Sequence, residues 1–216
     1  GAIVICPRVN EYRLLELRDQ GYPFVVIGRP FESEGINYVD TDNYGSAYLA
    51  TKYLLDRGYE RIAMVTPGPL KYTVALDRLE GYKKALEDSG RLVLPDYIAE
   101  GDYRQGVGYE AMKKCLSRWD IPDAVFVGGD TLVLGVLEAI VERGLRVPED
   151  IGVICYDFDL AKNLDPPLTA IVQPLEELGR IAAETLSRLL KEDGMTRDPL
   201  VQEVLPSELV VRGSCR

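Results

Sequence analysis

The chain has 216 residues, 46% of them hydrophobic and 28% charged, enough for one large domain or two small ones with a real core. It contains no histidine and carries a net charge of −10, which excludes Ser-His-Asp and Cys-His catalysis and His-ligated zinc, and would repel a phosphate backbone from these residues alone. Cys6, Cys115, Cys155 and Cys215 show no CxxC spacing, as suits structural thiols in a cytosolic protein, and no run is apolar for the length of a membrane span or begins like a signal peptide.

In chain order, Ala2–Cys6 (AIVIC) predicts a strand apolar on both faces, hence one buried between layers of a parallel sheet. Asn10–Gln20 predicts a short helix stopped by Gly21, Phe24–Ile27 a second strand, and Tyr38–Asp40 a brief third one before Asp42 and Asn43, either of which could cap the next helix. From Asn43 the alternation is regular. Helical stripes at Ala47/Ala50/Thr51/Leu54, Ala75/Leu79/Tyr82/Leu86, Val107/Ala111/Cys115/Leu116 and Val133/Val136/Leu137/Ile140/Val141 are separated by strands at 61–66, 97–99, 124–127 and 151–155. Strand and helix alternating at this pace specify right-handed βαβ units and parallel, Rossmann-like sheets.

The strand Ile151–Cys155 delivers Asp157 and Asp159 to its carboxyl end, where open α/β sheets bind ligands. Pro166-Pro167 then forces an extended crossing into the strand Leu168–Val172. A helix over Leu175–Lys191 and one or two strands in 200–211 complete the chain. Two lobes are expected, 1–40 with 167–198 forming the N-terminal one and 41–166 with 199–216 the C-terminal one, linked by three crossings. The N-terminal lobe holds too few elements to cover the AIVIC strand on both faces, so it is expected to be incomplete, with residues missing upstream of Gly1.

In order and spacing, YVDTDNYGSAYLATKYLLDRGYERIAMV (38–65), DRLEGYKKAL (77–86), DAVFVGGDTLVLGVLEAIVERGLRVPEDIGVICYDFD (123–159), DPPLTAIVQPLEELGRIAAETL (165–186) and LPSELVVRGSC (205–215) resemble the effector-binding region of LacI-type bacterial transcription regulators. The resemblance implies a periplasmic-binding-protein-like (type I) fold and a cytoplasmic homodimer. It implies a small-molecule effector, a sugar by preference, bound between the lobes, and operator DNA contacted only by an upstream helix-turn-helix. Neither cofactor, metal, membrane nor catalysis is implied. The segments 23–30 and 73–82 are similar to maltose-operon and other α-glucoside repressors, which would place Arg29 and Arg78 on opposite sides of a cleft for a neutral oligosaccharide.

Carried onto this sequence, the family's ligand-binding arginine is Arg78, against the alternative of a surface arginine on an amphipathic helix. Asp157 matches the strand-end aspartate that accepts ligand hydrogen bonds, loop capping being its alternative. Tyr103 falls where an aromatic wall meets the ligand, and Gln173 on the return crossing; core packing and a hinge hydrogen bond compete with those roles. Asp130 matches the aspartate of an Asn-Asp pair whose Asn is here Gly129, leaving a roomier pocket or a different ligand, and helix capping at 131–144 competes. Val74 replaces a family Ser or Thr, with Thr73 beside it to shift the polar contact.

Three rival readings are weaker. Gly106-Val-Gly108-Tyr-Glu-Ala111 fits a loose dinucleotide pattern, but Tyr103–Gln105 separates it from the preceding strand. Asp157 paired with Asp159 or Asp130 could act as glycosidase carboxylates, though alternate strand residues face opposite ways. An extracytoplasmic sugar-binding protein of a transporter would share the fold.

Overall fold

The computed structural model describes residues 1–102, 104, 106–156, 159–191 and 199–216, with the backbone alone at 159 and 160. In chain order the elements are β1 (Ala2–Ile5), α1 (Tyr12–Asp19), β2 (Phe24–Ile27), β3 (Tyr38–Thr41), α2 (Asn43–Asp56), β4 (Ile62–Val65), α3 (Thr73–Asp88) and β5 (Ile98–Ala99). They continue with α4 (Val107–Leu116), β6 (Ala124–Val127), α5 (Val133–Glu142), β7 (Gly152–Tyr156), β8 (Thr169–Val172), α6 (Leu175–Leu189), β9 (Gln202–Leu205) and β10 (Glu208–Val210). Short 3-10 turns occupy Pro95–Tyr97, Asp130–Leu132 and Asp159–Asn163. The chain forms two compact units: unit 1 is Gly1–Asp42, Lys71–Val74 and Gln173–Ser207, and unit 2 is Asn43–Leu70, Ala75–Val172 and Glu208–Arg216.

Unit 1 is built on a parallel sheet of order β1-β2-β3-β9. The pleat of β2 sorts its side chains: Phe24 and Val26 pack with Leu14 of α1, while Val25 packs with Leu178, Ile181 and Ala182 of α6. β2 is therefore covered on both faces. Among the described residues β1 pairs with β2, and Ile3 and Ile5 are 40% and 64% exposed.

Unit 2 carries six strands in the order β10-β8-β7-β6-β4-β5, parallel except for β10. Alternation again decides the layers. Val65, Val125, Val127, Val153 and Cys155 face α4 and α5, whereas Met64, Phe126, Ile154 and Tyr156 face α2 and α3. Every residue of β4, β6 and β7 is buried, which is why these strands read as continuous apolar runs. Burial also pushes the Cys115 thiol up to about 11, and no disulfide forms among the described cysteines.

The chain passes between units at other places than the sequence suggested. Pro166-Pro167 is not a crossing, because β8 pairs with β7 and β10 and the chain stays in unit 2 through Val172. Residues 199–207 fall in unit 1, since β9 pairs with β3. Lys71–Val74 makes a short visit to unit 1, fixed by hydrogen bonds from Val9 N to Lys71 O at 2.8 Å and from Thr73 N to Pro7 O at 3.2 Å. The tail is sewn into unit 2 through Ser214, whose hydroxyl accepts from Thr169 N at 2.8 Å and donates to Val153 O at 2.5 Å.

Candidate functional site

The carboxyl ends of β4, β6 and β7 carry Thr66, Gly128-Gly129 and Tyr156 to one edge of the unit 2 sheet, the edge at which α/β folds bind ligands. Arg78 comes to it from α3. It lies three residues after Ala75 and four before Tyr82, both buried, so helical geometry turns its side chain inward with theirs. Only 6% of it is exposed, and the surface-arginine alternative is thereby removed.

Inside, the guanidinium is held in one orientation. Its Nε donates to Asn43 Oδ1 at 2.9 Å and its Nη1 to Gly128 O at 2.5 Å. Its carbon stands 3.3 Å from the centre of the Tyr156 ring, close enough for strong cation–π attraction, which reaches to about 6 Å and is worth about 2 kcal/mol or more when desolvated. The Tyr156 hydroxyl donates to the same Asn43 Oδ1 at 3.4 Å. A cation taken from water is tolerated when its donors are met in this way. A fixed, dry guanidinium is a strong donor for ligand hydroxyl or carboxylate oxygens.

Other sequence candidates fall as follows. Asp157 and Tyr103 lie outside the described residues. Asp130 is exposed in the 3-10 turn after β6. It is not the cap of α5, which starts at Val133 with Leu132 in the cap position and no side-chain cap hydrogen bond. Arg29, Thr73 and Gln173 belong to unit 1. Arg29 is exposed, and its backbone N donates to Asp40 Oδ2 at 3.0 Å. The Thr73 hydroxyl donates to Pro7 O at 3.4 Å. Gln173 Oε1 accepts from Thr41 Oγ1 at 2.9 Å.

A Cβ placed on Gly129 would meet Pro67 Cα and Cβ at 3.1 Å, so an asparagine there requires the loop at Pro67 to give by a few tenths of an ångström. Gly129→Asn is expected to cost about 1 kcal/mol, a melting temperature lower by about 2–4 °C in calorimetry. Asn43 and Tyr156 are the residues sequence reasoning missed. The sequence offers Asn43 as a helix cap and gives Tyr156 no role of its own; the alternation from Ile154 could have put its ring on the α2/α3 face.

A cavity of about 780 Å³ opens elsewhere in unit 2, beside Glu100, Arg104, Glu110, Lys114 and Glu138. Its charged groups are exposed, and Arg104 pairs with Asp102 at 2.8 Å, so it lacks the dry donors of the Arg78 site. Among the described residues no cluster of three or more acidic or sulfur ligands could hold a metal ion, and no helix is long and apolar enough to cross a membrane.

Residues 51–215 match the model of the family described as periplasmic binding protein-like domain. The chain is 36% identical over 218 residues to the HTH-type transcriptional repressor PurR of Histophilus somni, covering 100% of this chain and 64% of that protein. It is 36% identical over 217 residues to the ribose operon repressor of Escherichia coli, covering 99% of this chain and 64% of that protein. The chain thus spans less than two thirds of the length of these relatives. Its fold is similar to the transcriptional regulator CelR in complex with cellobiose, with a TM-score of 0.89 and 35% identity over 99% of this chain and 65% of that one.

Proposed function

The chain belongs to the periplasmic binding protein-like domain family, and we propose that it is the ligand-sensing region of a LacI-type transcriptional regulator whose effector is a small neutral saccharide. The buried, oriented Arg78 carries this reading. It supplies charge-assisted donors at the sheet edge where the fold binds ligands, beside a tyrosine ring. The ribose named by one relative and the cellobiose bound by a structural neighbour support the sugar class. The wording of 23–30 and 73–82 makes a maltose-type saccharide the first candidate within it.

The activity is recognition, with no bond made or broken. The ligand binds one arrangement of the protein better than another, and that difference changes the operator affinity of a helix-turn-helix module upstream in a cytoplasmic homodimer. Coupling of this kind is typically worth about 1–3 kcal/mol. The experiment is a thermal-shift titration with ribose, cellobiose and maltose followed by calorimetry. A ligand at about 100 times its Kd adds about 2.7 kcal/mol, a rise of several degrees. Absence of a shift with every mono- and disaccharide in such a panel would remove the sugar reading.

A further inference from the structure

Parallel pairing of β1 with β2 puts the loops that follow them, 6–11 and 28–32, at the carboxyl edge of the unit 1 sheet, the edge at which α/β folds take ligands. Both loops are tied down. Cys6 N donates to Ile27 O at 3.0 Å and Gly28 N to Val39 O at 2.8 Å. Gly28 has φ +107°, and a Cβ on it would stand 2.7 Å from Pro7 Cδ, so its bare backbone lets the two loops close on each other. Pro7 and Pro30 are buried, yet the aromatic residues beyond them stay in solvent: Tyr12, the first residue of α1, is 63% exposed and Phe31 is 72% exposed.

Tyr12 and Phe31 line one depression, with Arg8, Asn10, Glu11 and Glu32 around it. It holds about 10 Å³, room for a single water. It therefore cannot enclose a molecule, and what it offers is ring surface with polar groups at the rim. A neutral pyranose suits such a surface, because its C–H face stacks on a ring while its hydroxyls donate to amide and carboxylate oxygens. The two carboxylates work against an anion, and Arg8 works against a cation. We propose that Tyr12 and Phe31 form a platform on unit 1 that stacks a neutral sugar ring, a carbohydrate site distinct in its residues from Arg78. It holds whether or not Arg78 binds a ligand.

The test is fluorine NMR with cellobiose on the whole chain carrying para-fluorophenylalanine, and separately fluorotryptophan. The chain has four phenylalanines and one tryptophan, and Phe31→Leu assigns the Phe31 signal. Phe24 and Phe126 are buried and report folding, whereas Trp119, 94% exposed, reports indiscriminate contact with a ring. Cellobiose is expected to shift the Phe31 signal saturably, equally in wild type and Arg78→Ala, with Trp119 unmoved. Tyr12→Ala is expected to weaken that response about fivefold while the Phe24 and Phe126 signals hold their places. An unmoved Phe31 signal would overturn the platform, and so would equal shifts at Phe31 and Trp119, which mark non-specific contact. A Phe31 response lost in Arg78→Ala would also overturn it, because the signal would then relay events at Arg78. A stronger response to choline or to ribose 5-phosphate than to cellobiose would overturn the ligand class.

Discussion

Arg78→Ala will weaken saccharide binding by about tenfold or more while leaving the domain folded. Hydrogen bonds from a charged donor are worth about 1.5–3 kcal/mol each, and a ligand that loses one of them loses at least a factor of about ten. The cost to folding is of similar size. The truncation leaves Gly128 O and Asn43 Oδ1 short of a donor and uncovers the Tyr156 ring, each a loss of about 1–2 kcal/mol. A domain with about 5–15 kcal/mol of stability survives this. Arg78→Lys keeps the charge but cannot reach Asn43 and Gly128 in one plane, so its binding falls nearly as far. Calorimetry on variants shown by circular dichroism to be folded decides it; unchanged affinity in Arg78→Ala places the site elsewhere.

Gly108→Ala will lower the stability of the domain strongly. A Cβ at residue 108 would stand 2.2 Å from Leu132 O and 2.9 Å from Leu132 Cα, backbone atoms that cannot swing aside. The start of α4 and the turn before α5 must separate, at a cost of about 3 kcal/mol, or about 6–12 °C in melting temperature for a chain of this size. Gly106 differs. Its φ is +82° and no atom lies within 4 Å of a Cβ placed there, so Gly106→Ala costs about 1 kcal/mol through backbone conformation alone. The contrast also explains the Gly-x-Gly spacing without a cofactor: one glycine turns the chain and the other lets α4 pack against Leu132. Equal melting temperatures for the two variants would contradict that packing account.

The sheet of unit 2 was legible because its strands are buried on both faces and its helices carry clear stripes, so apolar runs and 3.6-residue periodicity agree from Asn43 to Val172. Arg78 was legible as a residue type within a familiar pattern. Its neighbours were not, because Asn43 lies 35 residues from Arg78 and 113 from Tyr156 in sequence, and no local pattern signals their meeting. The tail misled because β9 and β10 follow each other closely, yet their partners β3 and β8 belong to different sheets.

That division of the tail bears on the order in which the protein assembles. Unit 2 draws most of its strands and helices from an almost unbroken stretch, so its contacts form at modest loop-closure cost. Unit 1 must bring β9 beside β3, and the bond from Val201 N to Asn37 Oδ1 there spans 164 residues. Closing so long a loop is cheaper once the intervening polypeptide has collapsed and shortened the gap. Loop-closure cost therefore favours forming the unit that holds Arg78 before β9 joins β3.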